Sequence, residues 1–179
     1  MVSTPARPQR SDARRNQQSL LDAAGAVFVR AGIDAPVREI AREAGVGTGT
    51  IYRHFPTRAD LVVAVFQHQV DSLAAVGDDV ALRDWILRFA DFLVTKHGLA
   101  DAMASDRVGF ERLHAGFVVR LEPICARLLG VEVSAGRMRD DVRPLELMRA
   151  VGNLCIGAEG DDEYDARRMI EVLLRGLTA

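Results

Sequence analysis

Residues 36–55 read PVREIAREAGVGTGTIYRHF, and the fold turns on them. Pro36 is excluded from a helix interior but tolerated at a helix start. Val37, Ile40, Ala41 and Ala44 then recur at intervals of three and four, the apolar stripe of a short helix. Gly45 ends that helix, because glycine enters the left-handed region at no steric cost, and Val46 is the apolar residue that pins the turn to a core. A second short helix runs from about Gly47 to His54 before Pro56 breaks the chain. Two short helices joined by a tight glycine turn form a helix-turn-helix, the element that lays its second helix in the major groove of DNA. Ala41 is small enough for the helices to cross. Thr48 and Thr50 are short and polar near the N-terminus of the second helix, and Gly47 and Gly49 allow close backbone approach.

Helical spacing divides that second helix into two faces. Thr48 and Tyr52, four apart, share one; Ile51 and Phe55, also four apart, share the core-facing one. The Tyr52 hydroxyl can donate to a phosphate, and Arg53 and His54 can reach phosphate or base. Arg58 opens the next helix, where free N–H groups and the helix dipole already favour an anion. Core packing is the competing reading for both aromatic residues. It is adopted for Phe55, and phosphate contact for Tyr52.

Upstream, Leu20, Leu21, Ala24, Val27, Phe28 and Ala31 are spaced as one helix face, Ser11 can cap that helix, and Gly32 closes it. Residues 1–10 carry no apolar period and read as a flexible basic arm, so the DNA-binding domain spans 11–57. Residues 1–60 hold nine Arg against six acidic residues, whereas 61–179 hold 14 basic and 19 acidic residues. A basic front on an acidic body suits one end meeting a polyanion. Arg7, Arg10, Arg14 and Arg15 concentrate that charge in the first 15 residues.

Residues 58–179 read as further helices: about 58–75, 80–97, a short piece at 99–104, 107–135 kinked or split by Pro123, 145–158 led by Pro144, and 166–177. Thr57 caps the first of them, with Asp60 three residues on. No alternating β-branched run appears, so the chain is all-α with about nine helices. At 179 residues it can bury roughly 70% of its unfolded surface without disulfide or metal. Cys125 and Cys155 form no CxxC pair and lie in apolar stretches, so they read as small core residues. Reduced thiols, no secretory leader and no apolar run of about 18 residues point to the cytoplasm, with no membrane partner.

Several elements taken together resemble the tetracycline-repressor (TetR) family of bacterial transcriptional regulators. They are LLDAAGAVFVRAGIDAPVREIA at 20–41 and AREAGVGTGTIYRHFPTRADLV at 41–62, and the resemblance covers about residues 16–66. It implies a homodimer whose recognition helices, Gly47–His54, enter successive major grooves of a near-palindromic operator. Thr48 and Thr50 would face base edges or phosphates, with Tyr52 and Arg58 on phosphates. It also implies a small-molecule effector held in the second domain, whose binding releases the DNA. By that layout Phe66, Trp85, Phe89, His114 and Phe117 are the candidate pocket residues, with ordinary core packing as the competing reading. The last two helices would build a four-helix dimer interface through Leu154, Met169, Ile170, Leu173 and Leu174, with Gly152 and Gly157 permitting close approach. The sequence departs from the family's habit at three places. Gly47 and Thr48 replace a frequent Ser-Lys, which removes a cap and a cation. Ala35-Pro36 replaces a phosphate-binding hydroxyl, a loss the basic arm can offset.

No catalytic residue, cofactor or metal is expected. The chain lacks HExxH, GxSxG and GxxxxGK[ST], and GTGT at 47–50 has neither the strand nor the lysine of a phosphate loop. The histidines at 54, 68, 97 and 114 lack metal-ligand spacing, and Glu159, Asp161, Asp162 and Glu163 read as a solvated loop. The alternative to a DNA-binding regulator is a helical small-molecule-binding or enzymatic domain that keeps the helix-turn-helix only as scaffold.

Overall fold

The computed structural model describes residues 8–77, 79–104, 106–156 and 163–179 and, of 8–14, 94, 98, 100–102 and 107, the backbone only. Among the described residues eight helices follow in order: α1 Pro8–Ala31, α2 Val37–Glu43, α3 Thr48–His54, α4 Arg58–Ala74, α5 Leu82–Ala102, α6 Arg107–Ser134, α7 Pro144–Ile156 and α8 Ala166–Gly176. Among the described residues there is no strand, only an isolated bridge between Met138 and Thr178. No described helix is long and apolar enough to cross a membrane.

The count is eight rather than nine because α5 continues through Gly98 to Ala102. A glycine inside a helix costs about 1 kcal/mol. Leu93 and Leu99, buried on either side of it, outweigh that cost. Pro123 likewise sits inside an undivided α6, between the fully buried Leu121 and Cys125. At the N-terminus α1 already includes Pro8–Arg10, ahead of the start at Ser11 that the sequence suggests. Residues 8–10 therefore belong to α1 rather than to a flexible arm. Arg7 lies outside the described residues, as do 157–162 with their acidic run and Gly157.

Local chemistry sets the remaining boundaries. Gly32 and Gly45 take φ of 75° and 66° where α1 and α2 end. Thr57 and Asp60 form a reciprocal capping box: Thr57 N–H donates to Asp60 Oδ2 at 2.9 Å, and Asp60 N–H donates to Thr57 Oγ1 at 3.1 Å. Asp106 and Asp165 cap α6 and α8 by accepting from the backbone N–H of Gly109 and Arg168.

One apolar core runs through the molecule. Helix α1 packs on α2, α4 and α5, so the DNA-binding segment shares its core with the second domain. At the centre, Trp85 and Phe89 stack with ring centroids 5.5 Å apart, and Phe92 meets Phe66 at 5.2 Å and Phe117 at 5.4 Å. Helix α8 lies on α7 and α5, tied to α5 by the ion pairs Arg83–Glu171 and Arg167–Asp91. Cys125 and Cys155 are free, and burial pushes their thiols up to about 12 and about 11. Both stay protonated at neutral pH and act as small apolar residues.

Candidate nucleic-acid interface and effector cavity

Helix α3 is held by very little of its own surface. Ile51 is 1% exposed and Phe55, just past its end, is buried. Thr48, Gly49, Tyr52, Arg53 and His54 are exposed, Tyr52 at 53%, and Thr50 is half-buried. The angle of α3 is set by the turn before it, where Val46 N–H donates to the Ala41 carbonyl at 3.0 Å and Ala41 is itself buried. Arg30, near the end of α1, reaches Glu43 at 3.3 Å and Glu39 at 3.8 Å and so braces α2 from behind. Gly47 occupies the N-cap of α3 without a side-chain cap, leaving the first N–H groups of α3 open to an incoming acceptor.

Two arginines differ from their expected positions. Arg58 turns inward: its Nη2 donates to the Ala35 carbonyl at 2.8 Å, its guanidinium lies 5.9 Å from the Phe28 ring centroid, and its Nε is buried without a partner. It latches α4 to the α1–α2 connection and is not presented to a phosphate. Arg53 folds back along α3, donating from Nε to the Gly49 carbonyl at 3.2 Å and from Nη2 to Thr50 Oγ1 at 3.1 Å. Arg15 is exposed on α1, and the side chain of Arg14 lies outside the described residues. The sequence reading missed Arg38. It is exposed on α2, four residues from the exposed Arg42, and pairs with no acid among the described residues. The four-residue spacing of arginines opposite Ile40 and Ala41 was the available signal.

The expected effector residues divide. Phe89, His114 and Phe117 line a cavity of about 270 Å³ between α5, α6 and α7, together with Leu93, Lys96, His97, Val118, Met148, Arg149 and others. Phe66 lies on the other side of Phe117, in a separate α4–α6 cleft with Arg112 and Arg120. Trp85 lines none of these spaces. It is fully buried and its indole N–H donates to the Leu73 carbonyl at 3.0 Å, so it is core, as its size and apolar neighbours dictate. Within the α5–α6–α7 cavity, burial lowers the pKa of Lys96, and burial together with the nearby Lys96 lowers that of His114. His114 Nδ1 is buried without a hydrogen-bond partner. A third cavity, about 260 Å³, lies between α1, α4 and α5 and is crossed by the His68–Asp22 contact of 2.7 Å. Its residues come from three distant segments and share no motif, which is why sequence alone did not find it.

The expected dimer stripe on α8 also divides. Ile170 and Leu174 are buried within the protomer at 0% and 5% exposure and face its own core. Met169 and Val172 are exposed at 38% and 51%, with Leu173 half-buried beside them, and on α7 Ile156 is exposed while Leu154 is half-buried. The stripe is wider than one helix face, so it serves two directions.

Comparison with known proteins agrees with this architecture over both halves. The family model described as bacterial regulatory proteins, tetR family, matches residues 20–65. The model described as transcriptional regulator SbtR-like, C-terminal domain, matches residues 78–179, more than half of the chain. A TetR transcriptional regulator from Streptomyces coelicolor is 31% identical, with a TM-score of 0.69 over 89% of this chain and 97% of that one. A TetR transcription regulatory protein from Mycobacterium vanbaalenii is 30% identical, with a TM-score of 0.63 over 96% of this chain and all of that one. An HTH-type transcriptional regulator from Staphylococcus aureus strain USA300 is 38% identical over 63 residues, a match spanning 34% of that relative's length. With its recognition helix aimed by a glycine turn and family models matching both its N-terminal and its C-terminal part, the chain belongs to the TetR family of bacterial transcriptional regulators.

Proposed function

We propose that this chain is a homodimeric repressor that reads a near-palindromic operator through α3 and lets go of it when a small molecule enters the second domain. The observation that carries the reading is the exposure of α3. A helix that buries Ile51 and offers Thr48, Gly49 and Tyr52 to solvent gains little from its own protomer. Its value lies in what it presents. Residues 11–57 act as the reading head and 58–179 as the effector and dimerisation part. Thr48 and Thr50 meet base edges, Tyr52 and Arg38 meet phosphates, and Arg53 joins them once it releases Thr50. The effector is assigned to the α5–α6–α7 cavity, whose lining is largely apolar with a few convergent polar groups. Dimerisation is assigned to the apolar outer face of α7 and α8, through Ile156, Met169, Val172 and Leu173.

A gel-shift with the DNA upstream of the chain's own gene tests this. A discrete complex at low salt is expected, weakening as salt rises with a log–log slope of roughly 0.9 per phosphate neutralised. Failure to retard any fragment at low salt would return the helix-turn-helix to a scaffold. Thr48→Ala should change which operator variants are preferred, rather than weaken all of them alike.

A further inference from the structure

The α5–α6–α7 cavity has a one-sided charge. Its titratable lining groups are Lys96, His97, His114 and Arg149, and no carboxylate stands among its described lining residues. Lys96 is the only lysine in the chain, against 22 arginines. It sits half-buried on α5, burial lowers its pKa, and no acid among the described residues offsets that. Across from it on α6, His114 keeps Nδ1 buried without a partner while its ring meets Phe117 edge-on at 5.2 Å. A desolvated cation and an unsatisfied imidazole nitrogen both carry a free-energy cost unless a partner meets them. Phe89, Leu93, Phe117 and Met148 make most of the remaining wall apolar, with Asn153 a neutral polar group in it.

We propose that this cavity takes a small organic acid, a single carboxylate on an apolar body, with the carboxylate between Lys96 and His114. The single negative charge matches the one half-buried lysine. Arg149, the other fixed cation of the lining, is exposed to solvent, so a dianionic head such as a phosphate monoester would leave its second charge poorly compensated among the aromatic rings. Lysine suits this place because its ammonium is a compact point charge on a flexible stem, whereas arginine demands a planar, two-toothed partner. At about 270 Å³ the space falls just below the usual range for drug-sized pockets, so the apolar body is short. The inference rests on the assignment of this cavity as the effector site, but its test does not.

Calorimetric titration of the full chain with octanoate and phenylacetate, against octanamide and octylamine, reads the charge preference directly. The carboxylates should bind roughly tenfold or more tightly than octanamide, as a charge-assisted hydrogen bond requires, and octylamine should give no heat. Lys96→Gln should remove that preference and leave the affinity for octanamide unchanged. Lys96→Met, which replaces a half-buried charge by an apolar side chain, should do the same while keeping or raising the Tm, so loss of binding is separable from loss of fold. Arg112→Gln, in the neighbouring α4–α6 cleft, should change nothing. The proposal is overturned by equal affinity for amide and carboxylate, by preference for the amine, by an equal loss in Arg112→Gln, or by no binding of any probe at millimolar concentration. A gel-shift with the same compounds separates the two readings. Carboxylates that bind through Lys96 yet leave the DNA complex intact overturn the effector assignment alone. Neutral compounds that fill the cavity and release DNA overturn the anion preference alone.

Discussion

Helices α3 and α8 are both short, and each buries one face and leaves the other open. On α3 the open face is polar: Thr48, Gly49, Tyr52, Arg53 and His54. On α8 it carries an apolar stripe, Met169 and Val172 with the half-buried Leu173, flanked by the exposed Arg167, Arg168 and Arg175. Their inner anchors are alike, Ile51 at 1% exposure and Ile170 at 0%. The difference lies wholly in what faces outward, and it tells which partner each helix lacks. Hydrogen-bonding groups at an uncapped N-terminus suit a phosphate-lined groove. Exposed Val and Met beside a buried apolar row suit a second copy of the same surface.

That contrast can be broken by substitutions acting on one helix and not the other. Val172→Arg sets two like charges against each other in a symmetric interface, which costs several kcal/mol of association. Sedimentation equilibrium should then report monomers, and a Val172→Arg chain that remains dimeric would sink the α7–α8 assignment. Ile51→Ala should cost about 2–5 kcal/mol of stability, measured by urea unfolding. It should abolish operator binding while leaving dimers intact. Ile170→Ala should cost a similar amount and weaken the dimer first. Gly45→Val forces a β-branched residue to φ near 66° and should cost about 1–2 kcal/mol, with operator affinity falling further than thermal stability because the turn aims α3. Smallest is Tyr52→Phe, which should remove about 0.5–1.5 kcal/mol from binding to every operator variant alike. A loss confined to one variant would move Tyr52 from phosphate to base contact.

The reading head was the more legible half because local chemistry specifies it. Gly32, Gly45, Pro36 and the Thr57–Asp60 box each announce a boundary within a few residues, and each lies at the helix end it marks. Side-chain direction was harder. Arg58 stands at a helix start, where anions are favoured, yet a carbonyl and an aromatic ring more than twenty residues earlier in the chain capture it. In the second half, periodicity found the helices but could not say which aromatic residue meets a cavity. Trp85 and Phe89 stack on each other, yet Phe89 alone lines the α5–α6–α7 space. Gly98 and Pro123 read as breaks and are not, since tertiary burial beside them outweighs a local preference of about 1 kcal/mol for glycine and about 3 for proline. Lys96 was visible only as a count of one among 22 arginines, and its position between α5 and α6 gives that count a meaning.

The inward turn of Arg58 bears on how a signal travels. Its guanidinium is threaded beneath the joint between α1 and α2, clamped by the Ala35 oxygen below and the Phe28 ring alongside. The first residue of α4 is thereby riveted to the segment that carries the recognition element. In the effector-released dimer proposed above, a push on α4 from within the second half would find no slack at that junction. It would swing the whole front assembly as one stiff unit, changing the separation of the two heads without melting any of their helices.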